Sequence, residues 1–371
     1  MQKLTLSILA ALAILTTGCA KKATNYISED GFAQGSTFHI AYELPANATA
    51  NAAANATANA ASSAACPDSL SSAIRDSISS AIRDSIKLYF HRINKSVSGY
   101  DTTSILYRLN RGENPPLDEI FLDVFEYAQH IYKESNGAVD ASAAPLFDLW
   151  GFGFKNGVEI SKQNVDSLKQ FIGMEKLCVY QDENNSKWYL KKADPRIMLN
   201  FNAIAQGYTA DYFGRRFEAM GIENYLIEIG GEVYSKGVNP SGKQWRVGID
   251  KPVDGNFIPG ESMQAIIQLS GKGLVTSGNY RKFYVKDGMK YSHTVDPKTG
   301  YPVQHTLLSA TVIADDATTA DAYATYFMVV GLEKSKEILS GQENMEALLV
   351  YGEQENMKQY CTPGLAKMLR K

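Results

Sequence analysis

Tyr225–Ile229 (YLIEI), Trp245–Ile249 (WRVGI), Met263–Leu269 (MQAIIQL) and Lys282–Val285 (KFYV) are four short runs rich in β-branched and aromatic residues. Gly230-Gly231, Gly271 and Asp287-Gly288 punctuate them. Such runs between turn residues predict strands. Residues 204–220 before them and 316–340 after them carry apolar side chains at helical spacing instead. Helices and strands are thus mixed without a regular βαβ alternation. That predicts an α+β fold rather than a doubly wound parallel sheet. No G-x-G-x-x-G follows a strand and no Walker A loop is present, so a nucleotide would be held by something other than the common phosphate loops.

Further out, residues 30–45 read as a strand, polar and apolar side chains alternating through Ser36–Tyr42. Residues 117–135 space Ile120, Phe121, Val124, Tyr127 and Ile131 as a helix that stops at Asn136-Gly137, and residues 162–172 carry another helical pattern. An octapeptide, SSAIRDSI, occurs twice in succession (Ser71–Ile78, Ser79–Ile86). It sets Ile74, Ile78, Ile82 and Ile86 four apart, an amphipathic helix running on through Lys87–Asn94. Residues 46–65 just before it are nearly all Ala, Asn, Thr and Ser. Their side chains are too small to offset the entropy of ordering, which predicts a flexible, low-complexity excursion; with the helical repeat it makes up an insert of about 46–86.

At the N-terminus, Lys3 precedes an apolar run from Leu4 to Leu15, then Thr16-Thr17-Gly18-Cys19. The run is too short to span a bilayer and has the flanks of an export signal. A small residue before a lone Cys resembles the lipobox of bacterial lipoproteins. This implies removal of residues 1–18, a lipid on Cys19, residues 19–28 as a tether, and a body held on the extracytoplasmic (periplasmic) side of the membrane. Cys66, Cys178 and Cys361 fit neither a zinc spacing nor a disulfide framework. With 44% hydrophobic and 21% charged residues and a net charge of −3, the chain can bury a core and lacks the basic footprint of a nucleic-acid partner.

Three constellations could carry chemistry. In Asp315-Asp316-Ala317-Thr318-Thr319-Ala320-Asp321-Ala322-Tyr323-Ala324-Thr325, a helix would put Asp321 and Thr325 on one face. A carboxylate and a hydroxyl are hard oxygen ligands that suit Mg²⁺. Equally, Asp316 or Thr318 caps the helix and Asp321 is merely solvated. Asn200-Phe201-Asn202-Ala203-Ile204-Ala205-Gln206-Gly207-Tyr208 has the look of a strand turning into a helix, whose first amides can receive phosphate oxygens. Thr276-Ser277-Gly278 with Arg281, then Ser292-His293-Thr294-Val295-Asp296-Pro297, offer a cation for phosphate and a histidine, one of five. Both residue types are as often structural.

In this order the pieces resemble the ApbE family, the FAD:protein FMN transferases. The likeness runs from about Gly31 to about Leu339. It is carried by Gln34-Gly35-Ser36-Thr37-Phe38, Tyr100-Asp101…Ser104…Arg108-Leu109-Asn110, Gly137-Ala138-Val139-Asp140 and Leu149-Trp150-Gly151-Phe152-Gly153. Residues 200–208, Gly230-Gly231, Thr276-Ser277-Gly278, Ser292–Pro297 and Ala320–Thr325 continue it. The resemblance implies one ApbE-like domain over residues 29–371, with FAD as substrate between subdomains. It implies that Gln34, Tyr100, Ala138, Val139, Asp140, Asn200, Gln206 and Val295 contact FAD. It implies Mg²⁺ on the Ala203 carbonyl, Asp321 and Thr325, with His293 as catalytic base. FMN would pass to a Thr or Ser of an acceptor flavoprotein subunit in an extracytoplasmic redox complex, releasing AMP. Gln34 stands where the family often has Met, Asn200 where it has Asp and Gln206 where it has Lys; the last two together preserve hydrogen bonding and local charge. The same residues would suit an FAD pyrophosphatase, or a flavin-binding lipoprotein without catalysis.

Overall fold

The structure, a computed structural model, describes residues 25–45, 67–154, 160–253, 260–279, 283–286, 289–353 and 356–369. The leader, Cys19, Cys66, the 46–65 tract and Arg281 lie outside the described residues.

The four strand runs form much as expected: β5 (Tyr225–Ile229), β7 (Trp245–Asp250), β8 (Met263–Leu269) and β10 (Phe283–Lys286). The run at 30–45 is instead two strands, β1 (Tyr26–Ala33) and β2 (Ser36–Glu43), joined at Gln34-Gly35. Both turn residues have positive φ, 52° and 77°, which matches the right-handed twist of the flanking strands. Alternation alone does not reveal such a turn, because it interrupts the pattern for only two residues. β6 (Glu232–Lys236), β9 (Lys272–Gly278), β14 (Leu307–Ala314), β15 (Glu346–Glu353) and β16 (Asn356–Cys361) complete the main strands.

Eight strands form one antiparallel sheet in the order β1-β2-β5-β6-β9-β14-β15-β16. Its strands are apolar at both parities because both faces are covered. Ile40, Tyr225, Ile227, Val312, Ala347 and Leu349 face one core. Ala41, Leu226, Ile313, Leu348 and Val350 face the other, under the two-stranded ribbon of β7 and β8 with Trp245, Val247, Ile249 and Ile267.

Helices fill the first core. The repeat lies in α1 (Pro67–Val97), whose Ile82 and Ile86 are buried. It is followed by α2 (Ile105–Asn110), α3 (Glu119–Glu134), α4 (Ala144–Leu149), α5 (Lys162–Lys169), α6 (Ala205–Ala219), α7 (Ala317–Val330) and α8 (Leu332–Ser340). The helical pattern at 316–340 is thus two helices, broken at Gly331 with φ 78°. α7 is buried nearly all round, the mark of a helix inside a core rather than on its surface. Among the described residues no helix is long and apolar enough to cross a membrane.

α6 and α7 cross at Gly207. A β-carbon there would overlap the Ala317 carbonyl oxygen and come within 2.9 Å of the Asp321 β-carbon. Glycine in a helix normally costs up to about 1 kcal/mol against alanine. Here the sign reverses: Gly207→Ala should destabilise the protein by roughly 2 kcal/mol or more through overpacking against backbone. Urea denaturation midpoints of the two proteins measure it.

Candidate active site

Antiparallel pairing gathers the motifs at one end of the sheet. The β1–β2 turn at Gln34-Gly35, the β5–β6 turn at Gly230-Gly231, the end of β9 at Gly278 and the start of β14 all lie there. α6 begins at this end and runs back along β5, so residues 203–207 open onto it. α7 starts deeper, where a β-carbon on Gly273 would overlap Ala317, and runs beside β9 toward it. At 1.5 Å per residue Thr325 is about 12 Å beyond Ala317. Ser277 is about 13 Å along β9 from Gly273. The rise of α7 from Ala317 to Thr325 is thus comparable with the span of β9 from Gly273 to Ser277.

Asp316 caps α7, its Oδ1 accepting from the Thr319 N–H at 2.6 Å, so the capping half of the sequence expectation holds for that residue. Thr318 instead donates its hydroxyl to Asp211, as the backbone amides of Ala317 (2.8 Å) and Thr318 (2.7 Å) also do. Burial pushes the Asp211 carboxyl up to about 6, against these hydrogen bonds. Asp211 had no motif to announce it. Its one signal is an acid on an otherwise apolar face of α6.

Asp321 is not solvated but buried, 4% exposed. Its Oδ2 accepts from the Gly207 N–H at 3.1 Å. In a regular α-helix that N–H would serve the carbonyl four residues back, Ala203. Tyr208 does bond Ile204 in that way, at 2.9 Å. The Ala203 carbonyl receives no hydrogen bond among the described residues. Nor does any described residue donate to the Thr325 hydroxyl, one turn after Asp321. Burial raises the Asp321 carboxyl and the Asp211 charge raises it further; a bound cation would oppose both effects. Asp321 and Thr325 thus lie one turn apart on α7, and Asp321 meets α6 at Gly207, four residues after Ala203; a carboxylate, a hydroxyl and a carbonyl are oxygens of the kind that suit a hard cation. Among the described residues no group of three or more His, Cys, Asp or Glu comes together to hold a metal.

The remaining expected contacts fall into neighbouring sets. Gln34 donates its amide to the Thr209 hydroxyl at 2.8 Å, tying the hairpin turn to the first turn of α6. The Gln206 amide lies against Gly230, where φ is 71° and a β-carbon would come within 2.9 Å of Gln206 Cδ. Asn200 is buried; its N–H donates to the Ala141 carbonyl at 2.7 Å and its Oδ1 accepts from the Asn202 N–H at 2.8 Å. That pairing sets 200–203 beside Ala138, Val139 and Asp140, all buried. Val139 N–H donates to the Ser135 hydroxyl at 3.0 Å. Asp140 Oδ1 accepts from the Ser142 amide and hydroxyl at 2.8 and 2.6 Å. Lys192, whose Nζ donates to the Leu109 and Ile197 carbonyls, braces the segment leading to Asn200.

Tyr100 is 69% exposed, its ring edge-on to Phe154 with centroids 5.1 Å apart. Trp150 donates its indole N–H to the Gly300 carbonyl at 2.9 Å and stacks on Tyr291. Phe152 meets His293 edge-on at 6.3 Å. Val295 is buried and pairs with Pro302. The Leu149–Gly153 block and the 291–302 block are therefore packed together, though 150 residues apart.

An antiparallel sheet with helices on one face and a two-stranded ribbon on the other, and with two helices crossing through a buried carboxylate, defines an α+β protein. The chain belongs to the ApbE family, whose model matches residues 46–349. It is 35% identical over 278 residues to a protein of Escherichia coli strain K12 named FAD:protein FMN transferase, covering 74% of this chain and 77% of that one. A protein of the same name from Haemophilus influenzae is 30% identical over 357 residues, 94% of this chain and 93% of that one. The solved flavin transferase ApbE of Vibrio cholerae superposes with a TM-score of 0.73 at 26% identity, over 93% of this chain and 100% of that one. The apo flavinyl transferase ApbE of Pseudomonas stutzeri gives the same TM-score and identity over 93% and 97%. The resemblance and the α+β fold expected from the sequence are both borne out.

Burial raises the Asp140 carboxyl from 3.8 to about 6, outweighing its bonds from Ser142. The folded protein thus favours the protonated acid more than the unfolded chain does. This contribution to stability is present below about pH 4 and lost as the pH rises to about 6. Asp140→Asn keeps the Oδ1 acceptor and removes the titration. Relative to wild type, the variant should gain on the order of 3 kcal/mol in stability between pH 4 and pH 7, read from denaturation curves at both.

Proposed function

We propose that this chain transfers the FMN half of FAD to a Thr or Ser hydroxyl of an acceptor protein, releasing AMP. The names of its relatives support the reaction. The observation that supports the site is the α6–α7 crossing, where the buried Asp321 carboxylate accepts from the Gly207 N–H, Thr325 follows one turn later on α7 and the Ala203 carbonyl receives no hydrogen bond among the described residues. Mg²⁺ held by these three would neutralise pyrophosphate charge as the bond to AMP breaks.

The chain's own residues do the rest. Tyr100 offers an exposed ring on which the flavin stacks. Asn200, Gln206 and the amides opening α6 receive polar groups of the dinucleotide. Gln34 holds the hairpin turn against α6, while Ala138, Val139, Asp140 and Val295, being buried, wall the flavin site mainly through backbone and shape. His293 takes the proton of the acceptor hydroxyl. That oxygen attacks the FMN phosphorus, and the phosphorus–oxygen bond to AMP breaks with its electron pair leaving on AMP. Export with a lipid on Cys19 would set this reaction at the extracytoplasmic face of a bacterial membrane, within reach of flavoprotein subunits of redox complexes.

Asp321→Ala should lower covalent flavin incorporation into an acceptor at least about a thousandfold, with an unchanged far-UV spectrum; flavin fluorescence of the denatured acceptor on a gel measures it. His293→Ala should lose roughly a hundredfold or more in kcat while FAD still binds. Release of free FMN and AMP at the same rate with and without acceptor would instead identify a hydrolase. Turnover by neither route in wild type with Mg²⁺ would identify a flavin-binding protein.

A further inference from the structure

Tyr100 follows Gly99 at the end of α1, in a loop where Ser98 accepts from the Tyr100 and Asp101 amides at 3.2 and 3.1 Å. Those bonds fix the backbone but leave the ring free to turn, and at 69% exposure little else confines it. What confines it is Phe154, perpendicular to Tyr100 at 89°. Phe154 reaches this position because Gly99 lacks a side chain: a β-carbon on Gly99 would overlap the ring edge and lie 2.8 Å from Phe154 Cδ1. Phe154 is itself tied down from behind. Its N–H donates to Asp148 Oδ1 at 2.6 Å, and Asp148 is buried at the end of α4. Gly153 lets the loop fold back over that carboxylate, since a β-carbon there would come within 2.6 Å of the Asp148 nitrogen.

We propose that Phe154 is the positioning residue for Tyr100, pinned by Asp148 and admitted by Gly99, and that this chain of contacts sets the protein's affinity for the flavin ring. It rests on the reading of Tyr100 as the flavin platform. An exposed tyrosine free to sample several rotamers loses that freedom when a ring stacks on it. Prior edge-to-face contact with Phe154 removes part of that loss before the flavin arrives. Phe154 touches neither reacting atoms nor phosphates in this scheme, so its effect falls on binding rather than on chemistry.

The test is a double-mutant cycle of Tyr100→Ala and Phe154→Ala in the full chain, with FAD as the probe and Mg²⁺ present. Three quantities are measured: KM for FAD, kcat, and quenching of flavin fluorescence on binding. Phe154→Ala should raise KM about five- to tenfold with kcat within about threefold, and weaken the quenching. In the Tyr100→Ala background the same substitution should raise KM less than about twofold. Phe154→Tyr should restore most of the affinity, and Gly99→Ala, which displaces the ring without deleting it, should reproduce the loss. If Tyr100→Ala raises KM and abolishes quenching while Phe154→Ala does neither, the positioning role is overturned and the platform stands. Additive losses in the cycle overturn it as well. If Tyr100→Ala itself leaves KM and quenching unchanged, the platform reading fails, and the proposal with it.

Discussion

Everything at the site depends on how two carboxylates are buried at one helix crossing. Asp211 and Asp321 lie inside the protein, where an isolated charge is costly. Asp211 is offset by three donors at the start of α7 and by the positive end of that helix. Among the described residues Asp321 accepts only from the Gly207 N–H. That imbalance is the informative feature. The fold gives three donors to the carboxylate it uses as a brace and one to the other, which it sets against the turn of α6 that follows Ala203. The same Gly207 serves twice, since its missing side chain lets the helices touch and its diverted N–H releases Ala203.

The crossing would be useless if it were not carried to the right height. α7 runs along β9 from a contact at Gly273 that excludes any side chain, so its register against the strand is set by backbone against backbone. Asp321 then meets Gly207 at the start of α6, where Gln206 lies against the Gly230-Gly231 turn. The Trp150, Tyr291 and Val295 cluster ties the 149–153 and 291–302 blocks together as a small separate core.

The sequence exposed much of this, unevenly. Helices at 119–134, 205–219 and 317–330 were visible because long amphipathic or capped segments keep one period over many residues. Strands β6, β9, β14 and β15 were harder to see, since a sheet buried on both faces has no alternation to show. The hairpin turn at Gln34 was hidden within a continuous alternating run. Asp316 was legible as a cap from local rules. Asp211 was not, because it caps a helix 106 residues away, and no local pattern encodes a distant partner.

By itself, then, the sequence determined the mixture of helix and strand and the family. Those are properties of local periodicity and of motifs read in order. Only the tertiary structure decided that Asp321 is buried rather than solvated and that Gly207 diverts its amide from Ala203. It alone decided that Phe154 stands against Tyr100. Each is a contact between segments far apart in the chain, created when packing removes water from both, and such a contact exists in no single stretch of residues.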